Sequence, residues 1–281
     1  MGEARDFDLI ESYARPVPIA VIGELLGVPE NGRVQVGIWS KIIFSDVSKT
    51  DRVHASNELL LFLKDLISAR PVEASCGILR ELLDAASGAD RLSPPEIVSM
   101  IALLLVAGHE TTMNLIANAS RLLLLAPGLA SRIVSNPTLI SGAVEEFLRF
   151  DGPVNVATMR HTVRPTVIGD VEIPAGELVL LALASANRDA SKFQAPDVIN
   201  IGREQRNLAF GHGVHHCIGA PLARLEGTIA ILRLMERFPH LHLAVDESVL
   251  RWRGSILMRG LESLPVSIRA HSESADERLE L

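Results

Sequence analysis

The sequence is short of positive charge: 27 Lys and Arg stand against 34 Asp and Glu, for a net charge of −7 over 281 residues. Overall electrostatic attraction to nucleic acid is missing, and no nucleic-acid role is expected. Cysteine is scarcer still, with Cys76 and Cys217 alone. Nothing at the N-terminus resembles a signal peptide, which argues against a secreted chain stapled by a disulfide. Met1-Gly2 hints at myristoylation, but Asp6 stands where Ser or Thr is wanted. The longest apolar run, around 100–108, is too short to cross a bilayer. No internal repeat is visible. The expectation is a reduced, soluble, cytoplasmic protein with no membrane span.

Hydrophobic residues make up 48% of the chain, enough for a sizeable core, and the expected layout is a single domain over 1–270 with a polar tail over 271–281. Apolar residues recur at helical spacing over 10–26, stopping at Gly27-Val28-Pro29, and again over 59–67 and 76–86. Ser93-Pro94-Pro95-Glu96 is the clearest helix start, with Ser93 as cap, Pro94 in the first turn and Glu96 completing a capping box. From there the pattern runs to Leu125, a helix about 50 Å long. It is apolar nearly all round, so burial is expected. Its middle, Ala107-Gly108-His109-Glu110-Thr111-Thr112, is polar where only core was needed, and such conflicts mark function.

After Phe150 the period changes. Residues 166–173 read as a hairpin turning at Gly169-Asp170, and 178–183 as a strand. The stretch 187–206 reads as an irregular packed loop and 220–238 as a final helix. The expected fold class is mainly α with a small β region.

The densest information lies in Phe210-Gly211-His212-Gly213-Val214-His215-His216-Cys217-Ile218-Gly219. Its glycines permit turns and close approach. Cys217 stands just before a helix, whose free N–H groups favour thiolate over thiol. A thiolate on iron pushes electron density onto the metal and promotes O–O cleavage. Phe210 would shield the sulfur, and N–H groups aimed at it would tune the iron. Two other readings stand beside this one. Cys217 is a buried small hydrophobe, or His212, His215, His216 and Cys217 bind zinc. Zinc usually draws ligands from two separated segments, and Cys76, His240 and His242 are poor candidates for the second.

At this stretch the chain resembles the cytochrome P-450 family, whose haem-binding signature F-G-x-G-x-H-x-C-x-G is matched at every specified position. Other segments follow in the family's order. Ala107-Gly108-x-Glu110-Thr111-Thr112 resembles its central-helix motif. A metalloprotease H-E-x-x-H starting at His109 fails, because Met113 occupies the second His position. Glu146 and Arg149, three apart on one helix face, resemble its E-x-x-R pair; the plain alternative is a solvated surface pair. Ala186-Asn187-Arg188-Asp189, Phe193, Pro196-Asp197 and Arg203 resemble the loop that supplies a third member. Leu25-Leu26-Gly27-Val28-Pro29 looks like the soluble bacterial branch.

The resemblance implies a cytochrome P-450-like fold, N-terminally truncated, because the sequence starts where family members are already well under way and lacks their first quarter. It implies haem b, with Cys217 as iron ligand in a loop shaped by Phe210, Gly211 and Gly219. Arg160 and His215 are then propionate ligands, and Gly108 opens the helix beside the iron. Glu110 becomes a proton relay and Thr111 the hydroxyl next to dioxygen. Glu146, Arg149 and Arg203 form a buried ion network beneath the haem. Residues 103–107, 154–158 and 256–258 resemble pocket-lining segments. The implied function is a monooxygenase that inserts one atom of dioxygen into a small lipophilic substrate. A ferredoxin or similar donor supplies electrons, docking near Arg203, Arg206, His216 and Arg224. The alternatives are a non-catalytic remnant without stable haem, or a zinc-binding module.

Overall fold

Pro16, Pro94, Pro127 and Pro221 each stand in the first turn of a helix, where proline's missing N–H leaves no bond unmade. The structure, a computed structural model, describes residues 5–45, 47–69, 77–85 and 92–268. In chain order the elements are β1 (Arg5–Asp8), a π-helical turn (Ile10–Ala14), α1 (Pro16–Leu25), α2 (Glu30–Phe44), α3 (Lys49–Ala69), α4 (Ile78–Ala85), α5 (Pro94–Leu125), α6 (Pro127–Ser135) and α7 (Ile140–Asp151). Then come β2 (Arg160–His161), β3 (Thr166–Ile168), β4 (Val171–Ile173), β5 (Leu178–Val179), α8 (Leu183–Ala186), α9 (Ala220–Arg237), β6 (Leu241–Leu243) and β7 (Pro265–Ile268).

Several elements differ from the sequence reading. The helix expected over 10–26 is split: Pro16 has no N–H to donate, and the Arg15 N–H reaches back to the Ile10 carbonyl at 2.8 Å, widening one turn to π geometry. α2 has no counterpart in that reading, its apolar positions being interrupted by Gly32 and Gly37. α3 starts ten residues early, through a polar stretch without apolar period. The strand over 178–183 shortens to β5 because Leu183 already begins α8. The hairpin does form, as β3 and β4 around Gly169. Cys76 and the tail lie outside the described residues.

A three-stranded antiparallel sheet in the order β1-β7-β6 joins the two ends of the described chain, with Phe7 opposite Val266. α5 runs through the middle and packs on α1, α3, α7 and α9. The Glu96 carboxylate accepts both the N–H and the hydroxyl of Ser93 at its start. Ile97, Ile101 and Leu105 join one core with Ile19, Leu26, Leu59 and Leu63. Met113, Leu115, Ile116 and Leu123 join another with Phe147, Leu148, Ile231 and Leu234. The polar run of α5 falls between these two cores.

Two expectations about this helix need correction. By length and composition α5 is able to cross a membrane, although the sequence reading placed no segment in that class; over half of its most apolar window is buried in protein. Nor is it buried all round. Met100, Leu103 and Ala107 form an exposed stripe on its first half, with Leu103 at 67% exposure. The second half is closed off by α9, which approaches closely because Gly227 has no side chain: a Cβ there would lie 3.0 Å from Leu115.

Candidate functional site

The loop before α9 is held by its own backbone. The Cys217 N–H donates to the Phe210 carbonyl at 2.9 Å, and the His216 N–H donates to Gly213 at 3.0 Å. Gly211 and Gly213 supply the left-handed turns, with φ of 72° and 71°, a conformation that strains any residue bearing a Cβ. The result presents Cys217 as a free, exposed thiol two residues before the N-cap Gly219. Its apolar neighbours are exposed too, Val214 at 97% and Ile218 at 85%. The reading of Cys217 as a buried small hydrophobe is therefore wrong.

On α5 the polar run makes a buried cluster. Both Glu110 oxygens are engaged, one by Arg15 at 3.4 Å and the other by Arg253 at 2.9 Å. Arg15 also pairs with Glu11, and Glu11 pairs with Lys41 of α2 at 3.0 Å. His109 is fully buried, with Nδ1 3.4 Å from the Ser40 hydroxyl of α2. Burial holds its imidazole down at about 4, against the opposing pull of Glu110. Its Nε2 has no partner among the described residues. The Thr111 hydroxyl donates to the Ala107 carbonyl at 2.6 Å, one turn back. The opening expected at Gly108 is not present. α5 is helical throughout, and a Cβ at Gly108 would only touch Ile22 at 3.6 Å, an ordinary contact.

Glu146, Arg149 and Arg203 are brought together beneath α7. Two Arg149 nitrogens donate to the two Glu146 oxygens at 2.8 Å, and Arg203 Nε donates at 3.2 Å. The Asn200 N–H adds a further bond at 2.8 Å. Arg149 directs its remaining hydrogens to the carbonyls of Asn187, Pro196 and Val198, and Phe193 lies against both guanidinium groups. Ala195 takes a left-handed φ of 46°, and its carbonyl accepts from Arg203.

A family model described as cytochrome P-450 matches residues 55–259. The chain belongs to the cytochrome P-450 family. It is 46% identical over 262 residues to cytochrome P-450 107B1 of Saccharopolyspora erythraea, covering 93% of this chain and 65% of that protein. It is 45% identical to vitamin D(3) 25-hydroxylase of Pseudonocardia autotrophica, covering 94% of this chain and 66% of that one. Among solved structures, the tirandamycin C-bound cytochrome P-450 monooxygenase TamI matches with a TM-score of 0.88 at 41% identity, over 96% of this chain and 67% of that one. The chain thus spans 65 to 66% of the length of the two curated relatives.

The cytochrome P-450 family implies a haem, and the residues present fit one. A thiolate is the donor such an iron takes. The exposed Val214 and Ile218 flanking the sulfur are apolar surface that a flat apolar group would cover. The zinc reading lacks a ligand set: among the described residues no group of three or more His, Cys, Asp or Glu is placed to hold a metal ion.

Other expected cytochrome P-450 residues fare unevenly. Arg160 lies in β2 with Nη1 on the Thr158 carbonyl and hydroxyl, and His215 is exposed beside Cys217. As a docking residue Arg203 is a correction, since its side chain is only 6% exposed inside the Glu146 cluster. Arg224 is tied to Glu145, leaving Arg206 and His216 as exposed candidates. Among the described residues the three pocket-lining segments do not close an apolar cavity. Val154 pairs with buried Met258, Leu103 and Ile256 are open, and the cleft of about 260 Å³ beside Val154 is lined by Arg149, Asp151, Arg188 and Arg259. The sequence reading missed Arg15, Arg253 and Ser40, and a second ion cluster in which Asp151 binds Arg121 and Arg259 around Trp252. No local motif announces any of them.

Proposed function

We propose that this chain carries the haem-thiolate centre of a monooxygenase that inserts one atom of dioxygen into a small lipophilic substrate. The observation that carries the reading is the exposed Cys217 sulfur on its glycine-turned loop, set among exposed apolar side chains. Haem b, bound there, supplies the activation of dioxygen, with two electrons from a ferredoxin or similar donor in the cytoplasm.

The chain's own residues have separate tasks. Cys217 binds the iron through Sγ, and the Phe210 carbonyl fixes its backbone. Gly211 and Gly219 shape the loop, while the Arg160 guanidinium and an N–H of His215 offer donors to the propionates. The open stripe of Met100, Leu103 and Ala107 gives α5 an apolar face towards a lipophilic ligand. Two similar proteins, a vitamin D(3) 25-hydroxylase and a tirandamycin C-bound monooxygenase, support that substrate class. Thr111 holds a proton on its hydroxyl at the end of this stripe. Passing protons on through Glu110 requires one arginine to let go, and Arg15, the longer contact, is the looser.

The test is one spectrum. Purified protein supplied with haem, reduced and exposed to carbon monoxide, is expected to show the red-shifted Soret band of thiolate-ligated haem, and Cys217→Ser to lose it. Absence of the band from the wild-type chain favours the non-catalytic remnant.

A further inference from the structure

Arg224 lies in the second turn of α9, and its guanidinium carbon sits 4.5 Å from the centre of the Phe210 ring. One carboxylate holds it there. Nε and Nη2 of Arg224 both donate to Glu145 of α7. The same Glu145 accepts from the Asn207 side-chain amide, at 3.0 Å on its carboxylate and 3.2 Å on its carbonyl. Asn207 Oδ1 in turn accepts the Ala209 N–H at 3.0 Å. Glu145 thus fixes both the cation on the ring and the segment that carries the ring. Across the loop the Phe210 carbonyl takes the Cys217 N–H, so the ring and the sulfur belong to one hydrogen-bonded turn.

Stability does not explain this arrangement. The Arg224 and Glu145 side chains are 41% and 39% exposed, and an ion pair so open to water adds little to folding. A cation held on an aromatic face beside a thiolate has a different use. It orients the ring and, through the ring, draws electron density away from the sulfur.

We propose that Arg224 is a positioning residue of the thiolate centre: clamped by Glu145 onto Phe210, it fixes that ring beside Cys217 and favours the ferrous state of the iron bound there. The inference rests on the haem-thiolate reading above. It differs from a role in docking an electron donor, because it acts with no partner present.

The experiment poises the haem-loaded protein with small-molecule mediators, without any protein donor, and reads the ferrous-to-ferric ratio at the wild-type midpoint. Arg224→Leu is expected to lower the ratio about threefold, and Arg224→Lys to keep most of it. In a Phe210→Leu background the Arg224→Leu effect is expected to shrink to near nothing, since the two residues act as a unit. An equal shift in both backgrounds means a bare charge effect and overturns the proposal, as does no shift at all. Should Arg224→Leu fail to hold haem, para-fluorophenylalanine at position 210 reads the ring in haem-free protein. Its fluorine resonance is expected to move with Arg224→Leu and to stay put with Arg224→Lys, and an unmoved resonance overturns the clamp. A wild-type chain without a thiolate-haem band removes the haem reading and this inference together. A banded wild type whose ratio ignores Arg224 removes the inference alone.

Discussion

Glu146 and Glu110 are both buried carboxylates that bind two arginines, and they are built in opposite ways. Glu146 takes Arg149 from three residues away and Arg203 from the following loop, and an Asn200 N–H completes the set. Its arginine side chains are 1% and 6% exposed. Glu110 takes arginines 95 and 143 residues distant, with side chains 12% and 11% exposed. Around it His109 Nε2 and Arg253 Nη2 lack partners among the described residues. A closed cluster resists change, whereas one with unpaired polar atoms and a long contact has slack. The Glu146 cluster is built as frame, and the Glu110 cluster keeps the slack that the proposed proton transfer needs.

The largest effect that tests this contrast is on stability. Glu146→Gln leaves two desolvated guanidinium groups facing a neutral amide, and about 3–5 kcal/mol of loss is expected. Glu110→Gln is expected to lose less, about 1–3 kcal/mol, because Arg15 keeps Glu11 and Arg253 keeps the Leu261 carbonyl. Urea unfolding of both variants decides it. Equal losses, or a greater loss at position 110, break the distinction.

A middle-sized effect comes from His109, held at about 4 by burial from an ordinary value near 6.5. Between those values the unfolded chain takes up a proton that the folded chain refuses. The stability contributed by neutral His109 is therefore complete above pH 6.5 and drains away as pH falls towards 4, by about 3 kcal/mol in total. Glu226 of α9 works the other way: burial raises it to about 7, so its unfavourable contribution grows as pH rises from 4.5 through 7. The measurement is therefore a difference, wild type minus His109→Gln, across pH 7 to 4.5. A difference that does not change with pH shows that the imidazole is not sealed, and the cluster around Glu110 is then open to water.

How far the two clusters were readable in the sequence follows from how they are assembled. Glu146 and Arg149 are one helical turn apart, so a pattern rule pairs them, though only the family resemblance added Arg203. Arg15 and Arg253 had no signature, being single arginines far from Glu110 in the chain. The Cys217 loop was legible because its glycines and sulfur are contiguous. The β1-β7-β6 sheet was not, since its short strands come from opposite ends of the described chain. α5 shows a different limit. Its two halves are alike in apolar content, so full burial was expected of both, yet only the second half has α9 against it while the first leaves Met100 and Leu103 open.

The smallest stability effect belongs to Thr111, next in sequence to Glu110. Its hydroxyl makes one bond, to the Ala107 carbonyl of the preceding turn, and such back-bonding adds little to a helix. Thr111→Ala is expected to change stability by less than about 0.5 kcal/mol and to keep the thiolate-haem band. Proton supply is another matter, because the hydroxyl is the last group before the open stripe. With a lipophilic compound that shifts the haem spectrum, hydrogen peroxide released per electron pair is expected to rise about tenfold as product falls. Glu110→Gln is expected to show both defects, lost stability and lost product, because its carboxylate serves the frame as well as the chemistry. If Thr111→Ala instead costs as much stability as Glu110→Gln, the hydroxyl belongs to the frame. The slack around Glu110 then has no proton to deliver.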